Sequence, residues 1–261
     1  MTFSIAISGK GGTGKTTIAA MLVNLLKNHS GDPILAVDSD PNTNLNEALG
    51  VQADMSVGKA REMLLKNKDK LGPEQTKEEY FNYLFQNAIE EFEGYDLIVM
   101  GQAEGPGCYC YVNNLLRKIM DELADRYPLM IVDTEAGLEH FSRRTTRDID
   151  ILLVVTDPTA KGVLTAKRIS ELIKSLNTNI GQTFLVVNKV PPRFLDRVQE
   201  LEKTSGLKSI GVIPRDPLIE EYDLTGTSLT ELPESSPALK AVKELVEKLK
   251  IPTLQKGEIS R

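Results

Sequence analysis

The chain has 261 residues, 41% of them hydrophobic, and a formal net charge of −6. That length suits one large α/β domain spanning 1–261, and the apolar fraction suffices for its core. The acidic balance argues against a nucleic-acid partner, and no apolar run reaches the ~18 residues of a membrane-spanning helix.

Met-Thr-Phe-Ser-Ile opens directly into a strand, with neither a basic leader nor a long apolar stretch, so a cytoplasmic protein without membrane partners is expected. The first strand, Phe3 to Ser8, runs into Gly-Lys-Gly-Gly-Thr-Gly-Lys-Thr-Thr at 9–17, and a helix is predicted from Lys15 to about Asn28. Strand, glycine loop and helix are the context a phosphate loop requires, and Gly9 to Gly14-Lys15-Thr16 fits G-x-x-x-x-G-K-[ST]. Backbone N–H groups of Gly11, Gly12, Thr13 and Gly14 would turn toward a polyphosphate at the positive end of the helix, with Thr17 just beyond. Lys15 would reach the β- and γ-phosphates, and the Thr16 hydroxyl would ligate Mg²⁺.

After the turn signal at 29–33, the short strand Ile34–Val37 delivers Asp38 and Asp40, followed by a short helix Leu45–Leu49. Carboxylates at the C-terminal end of a strand beside a phosphate loop can orient an attacking water or join the Mg²⁺ shell, or they can be turn aspartates capping that helix. Two amphipathic helices are predicted between 54 and 94, Met55–Lys70 and Glu78–Phe92. A strand at 96–101 leads through Gly105-Pro106-Gly107 to Cys108-Tyr109-Cys110, with a helix from Asn113 to about Asp125. Leu129–Asp133 is an apolar strand ending in an acid suited to the Mg²⁺ shell, and residues 134–140, with Gly137, Glu139 and His140, read as a mobile switch loop.

Strands at 151–156, 183–187 and 210–213 follow, with helices at 160–176 and 237–250 and a flexible tail at 252–261. The alternation predicts a P-loop NTPase: a mostly parallel sheet of seven to eight strands with helices on both faces. Asn188-Lys189 follows a buried strand, where an amide can meet a purine edge. Val190-Pro191 replaces the Asp a GTPase commonly carries there, which favours ATP/ADP.

The chain has only two cysteines, and they stand two positions apart. On an extended backbone after Gly-Pro-Gly, Cys108 and Cys110 would share one face. A closed thiolate site needs four ligands, so a two-fold dimer would complete it from two pairs, for Zn²⁺, Ni²⁺ or an iron–sulfur cluster. A buried or redox-active pair is the other reading.

With Lys10 in second place, the loop resembles the deviant Walker A of the MinD/ParA/nitrogenase-iron-protein superfamily. That resemblance implies a homodimer in which Lys10 reaches the partner's ATP. It also implies a water-activating role for Asp40, a switch at 42–44, and an adenine site between Asn188 and Pro214-Arg215-Asp216. The stretches Glu104–Cys110, Asn113–Arg117 and Asp133–His140 are similar to the CooC-type ATPases. This resemblance implies ATP- and metal-linked dimerisation and nickel insertion into apo carbon monoxide dehydrogenase or acetyl-CoA synthase. The alternatives are an iron–sulfur carrier or reductase of the nitrogenase-iron-protein kind, and a positioning ATPase.

Overall fold

A computed structural model describes residues 2–28, 31–67, 77–102, 108–123, 126–134, 149–175 and 180–252. Its centre is the strand β1 (Phe3–Gly9), buried on both faces from Ile5 onward, which leads into α1 (Lys15–Leu26). β2 (Ile34–Asp38), α2 (Leu45–Leu49), α3 (Val57–Asn67) and α4 (Lys77–Gln86) follow. Next come the hairpin strands β3 (Ile89–Phe92) and β4 (Tyr95–Val99), then α5 (Cys108–Leu123), β5 (Leu129–Asp133) and β6 (Ile149–Thr156). The chain continues through α6 (Ala160–Ser175), β7 (Ile180–Val190), α7 (Val198–Ser205), β8 (Ser209–Pro214), α8 (Pro217–Thr225) and α9 (Pro237–Leu249).

The strands form one eight-stranded sheet in the order β3-β4-β2-β5-β1-β6-β7-β8, and every pairing except β3–β4 is parallel. Strands covered on both faces are near-continuous apolar runs, as in Leu-Met-Ile-Val of β5, all buried. Alternation along β1 sends Ile5 and Ile7 to one face, where they pack with Ile18 and Leu22 of α1 and Val242 and Leu245 of α9. Ala6 points to the other face, against a layer that includes Leu115 and Ile119 of α5 and Val163 and Ile169 of α6. Register then aligns the C-terminal ends: Ile7 pairs with Asp133, Asp133 with Asp38, and Gly9 with Val155. The phosphate loop and two acids therefore emerge from one end of the sheet.

The helix predicted over 78–92 stops at Gln86, and Ile89–Phe92 turns back as an antiparallel edge strand. Gly94, at φ +80, closes the two-residue hairpin loop, and the Phe92 and Tyr95 rings stack at 5.3 Å across it. α5 begins at Cys108 rather than near Asn113, so the backbone expected to be extended is helical. Positions two apart on a helix are about 200° apart around its axis, so the argument for a shared face does not hold there. The side chains at 108–111 lie outside the described residues, as do Gly105-Pro106-Gly107, the loop with Glu139 and His140, and the tail from 253.

Candidate functional site

The phosphate loop closes on itself through Thr13, whose hydroxyl donates to the Lys10 carbonyl at 2.7 Å and whose N–H reaches the same oxygen at 3.3 Å. Two of its glycines are sterically required. A Cβ on Gly9 would stand 2.1 Å from the Val155 carbonyl oxygen, and one on Gly14, at φ +87, would stand 2.3 Å from Asn188 Nδ2. Gly14 then starts α1, accepting the N–H of Ile18 at 3.1 Å. The first-turn N–H groups of α1 are unpaired within the helix and face the loop's concavity, an anion site by construction. Lys15 is buried at 8% exposure, beside that concavity.

Thr16 Oγ1 donates to Asp133 Oδ2 at 2.6 Å. The other oxygen, Asp133 Oδ1, is buried with no hydrogen-bond partner among the described residues. Burial pushes the Asp133 carboxyl up to about 7, opposed by the Thr16 bond and raised further by Asp38. A hydroxyl and a carboxylate with one unpartnered buried oxygen fit a hard cation, so Thr16 and Asp133 are the residues that would hold Mg²⁺.

Asp38 and Asp40 have different surroundings. Asp38 is fully buried, its Oδ1 accepts the N–H of Asp40 and its Oδ2 the N–H of Leu45, both at 3.0 Å. Burial raises its carboxyl to about 6, although those backbone bonds pull it down. Asp38 thus serves α2 as a remote N-cap, the turn role weighed above for this pair. Asp40 lines the cleft, with Oδ1 accepting the Asn42 N–H at 2.9 Å.

The cleft has a volume of about 760 Å³. One wall is Gly11, Gly12, Gly14, Lys15, Thr16 and Thr17; the others come from Glu47 to Gln52 and from Tyr222, Asp223, Gly226 and Thr227. Lys10 does not line it. Asn188 meets the loop from β7: its Nδ2 donates to the Thr13 carbonyl at 2.8 Å and its Oδ1 accepts the Lys189 N–H at 2.8 Å. Pro214 and Asp216 do not line the cleft. Asp216 is buried at 4% exposure and caps two helices: Oδ1 accepts Leu218 N–H of α8, while Oδ2 accepts the Ser236 hydroxyl and the Ala238 N–H of α9. Glu47, Tyr222 and Asp223 carried no motif that would have marked them.

Residues 4–229 match the CobQ/CobB/MinD/ParA nucleotide binding domain. The chain belongs to this family. It is therefore an ATP-binding ATPase of the MinD/ParA type. Among relatives, it is 44% identical to an uncharacterized ATP-binding protein of Methanocaldococcus jannaschii, over 94% of this chain and 97% of that one. It is 32% identical to the carbon monoxide dehydrogenase accessory protein CooC of Rhodospirillum rubrum, over 87% of this chain and 89% of that one. Among solved structures, a ParA family ATPase from Chlorobium tepidum superposes with a TM-score of 0.73 at 22% identity, covering 96% of this chain and all of that one. The septum site-determining protein MinD of Pyrococcus horikoshii, solved with Mg-ADP, gives 0.69 at 23% identity over 96% of each chain. These last two likenesses concern the fold.

Among the described residues, no group of three or more His, Cys, Asp or Glu side chains forms a metal site, and no helix is long and apolar enough to cross a membrane.

Proposed function

We propose that this ATPase is a dimeric metallochaperone that delivers nickel to a carbon monoxide dehydrogenase or acetyl-CoA synthase apoenzyme in the cytoplasm. The observation that carries this reading is the 32% identity to a carbon monoxide dehydrogenase accessory protein along most of both chains, in a chain with a Cys-x-Cys pair. The fold likeness to MinD and ParA proteins alone would equally suit a positioning ATPase. Such a role gives the cysteine pair no task, and the net charge of −6 is unsuited to DNA.

In this reading the glycine loop and Lys15 bind the phosphates of ATP, while Mg²⁺ held by Thr16 and Asp133 neutralises charge on them. Asp40, in the cleft and half-exposed, orients the attacking water; Asp38 supports it from behind by fixing the turn. Lys10 reaches across a two-fold axis to the partner's nucleotide, so hydrolysis proceeds only in the closed dimer. Asn188 braces the loop from β7, and Asp216 ties α8 to the start of α9.

Cys108 and Cys110 of both subunits supply four thiolates for Ni²⁺, with Zn²⁺ as a competing cargo of the same ligand chemistry. Ligation by both thiolates of one chain requires the first turn of α5 to open, since the helical backbone separates the two positions around the axis. Opening and closing of that turn is the two-state element that ATP and metal both bias.

The test is anaerobic titration with Ni²⁺ and Zn²⁺, read by thiolate charge-transfer absorbance and by mass, beside a Cys108→Ser/Cys110→Ser variant. One metal per dimer, lost in the variant, supports the proposal. Binding that ignores both cysteines removes it, and a brown cluster-bearing protein instead favours an iron–sulfur carrier.

A further inference from the structure

Asn188 and Lys189 stand just before the last residue of β7, and both side chains grip the phosphate loop at consecutive peptides. Asn188 Nδ2 donates to the Thr13 carbonyl at 2.8 Å, and Lys189 Nζ donates to the Gly12 carbonyl at 3.0 Å. The dipeptide is itself fixed, because Asn188 Oδ1 accepts the Lys189 N–H at 2.8 Å. Lys189 sits at φ +57, a conformation that disfavours any residue with a Cβ and that glycine adopts freely. A lysine is nevertheless present, and its side chain lines the nucleotide cleft.

In a planar trans peptide the C=O and the following N–H point in opposite directions. Holding the Thr13 carbonyl outward therefore turns the Gly14 N–H to the loop's inner side, where phosphate oxygens bind. The Gly12–Thr13 peptide is fixed at both ends, its carbonyl by Lys189 and its N–H by the Lys10 carbonyl at 3.3 Å. Gly14 has no Cβ at the point where the Asn188 amide approaches.

We infer that Asn188-Lys189 is a clasp that sets the phosphate loop in its anion-binding shape, with Lys189 as a positioning residue for the triphosphate. The ammonium aligns the loop's peptides and adds positive potential at its rim. This role differs from reading the base, and it does not depend on what the ATPase delivers.

The discriminating probe is inorganic triphosphate with Mg²⁺, which has phosphates and no base. Its affinity and that of ATP are measured by calorimetry on the full chain and on Lys189→Gly, Lys189→Met and Lys189→Arg. A charged hydrogen bond of this exposed kind predicts that Gly and Met weaken both ligands by the same factor, about five- to tenfold, and that Arg restores most of the loss. Lys189→Gly also relaxes the left-handed backbone, so its melting temperature should not fall and misfolding cannot mimic the effect. Unchanged triphosphate affinity in Lys189→Gly, or loss confined to ATP, would overturn the inference. So would a Lys189→Arg protein no better than Lys189→Met.

Discussion

Thr16 and Asp133 are 117 positions apart in the chain, yet the threonine hydroxyl donates to the aspartate at 2.6 Å, because β1 and β5 are neighbours in register. The contact joins the first turn of α1 to the end of β5 and leaves Asp133 Oδ1 buried without a partner among the described residues.

Asp133→Asn keeps the shape and the Thr16 contact but removes the anion. Mg²⁺-dependent ATP hydrolysis should fall about 100-fold or more, whereas Mg²⁺-free nucleotide binding changes little. Turnover against Mg²⁺ concentration checks this; full activity in the variant would exclude Asp133 from the metal shell.

The pH dependence of stability follows from the raised carboxyls. Asp133 titrates near 7 and Asp38 near 6 when folded, each against 3.8 as a free side chain. The folded state therefore holds protons that the unfolded state has released. This contribution is fully present below about pH 4 and is lost as pH rises through 6 to 7. For Asp133 it amounts to roughly 4 kcal/mol at most. Melting curves of the Mg²⁺-free protein should show this decline from about pH 4 to 7, and Asp133→Asn should flatten it.

Asp40→Asn should leave ATP affinity within about twofold and slow single-turnover hydrolysis by about 10²- to 10³-fold, as for loss of a group orienting the nucleophile. Asp38→Asn acts differently, because both Asp38 oxygens accept backbone N–H groups and the amide can match only one of them. Its main effect should be a destabilised turn and α2, about 1–3 kcal/mol by denaturant titration.

Asp216→Ala removes a buried carboxylate that caps α8 and ties it to the start of α9. The expected loss is about 2–4 kcal/mol of stability, with ATP and GTP affinities changed in equal proportion. A selective loss of ATP affinity would instead place Asp216 at the base.

Much of this arrangement was legible in the chain. The glycine loop and the acid closing β5 are read from spacing because local strand–loop–helix geometry needs those residue types in that order. The alternation of strands and helices likewise gave the parallel sheet and its two helical layers. The division of labour between Asp38 and Asp40 was open, since it depends on which backbone N–H groups fold back onto each oxygen. Resemblance puts Asp216 at the adenine; its cap on α8 is a local bond from Leu218, and its tie to α9 runs through Ser236 and Ala238, twenty or more positions away. Ile89–Phe92 continued an amphipathic helical pattern, and only pairing with β4 turns it into a strand. Gly-Pro-Gly before Cys108 points to an extended backbone, yet α5 begins at the cysteine itself. No motif marks helices α7 and α8, and α8 has no buried residue.

In the proposed function nucleotide and metal act on one dimeric switch, and linkage makes that coupling measurable. Ni²⁺ affinity should be determined anaerobically with no nucleotide, with ADP, and with a non-hydrolysable ATP analogue, alongside analogue affinity with and without Ni²⁺. Coupling requires the two shifts to be equal, and about five- to 150-fold is the usual range. Equal shifts that vanish in Cys108→Ser/Cys110→Ser are the predicted result. Nickel affinity indifferent to nucleotide would exclude such a switch and leave an ATPase of this family acting on something other than metal.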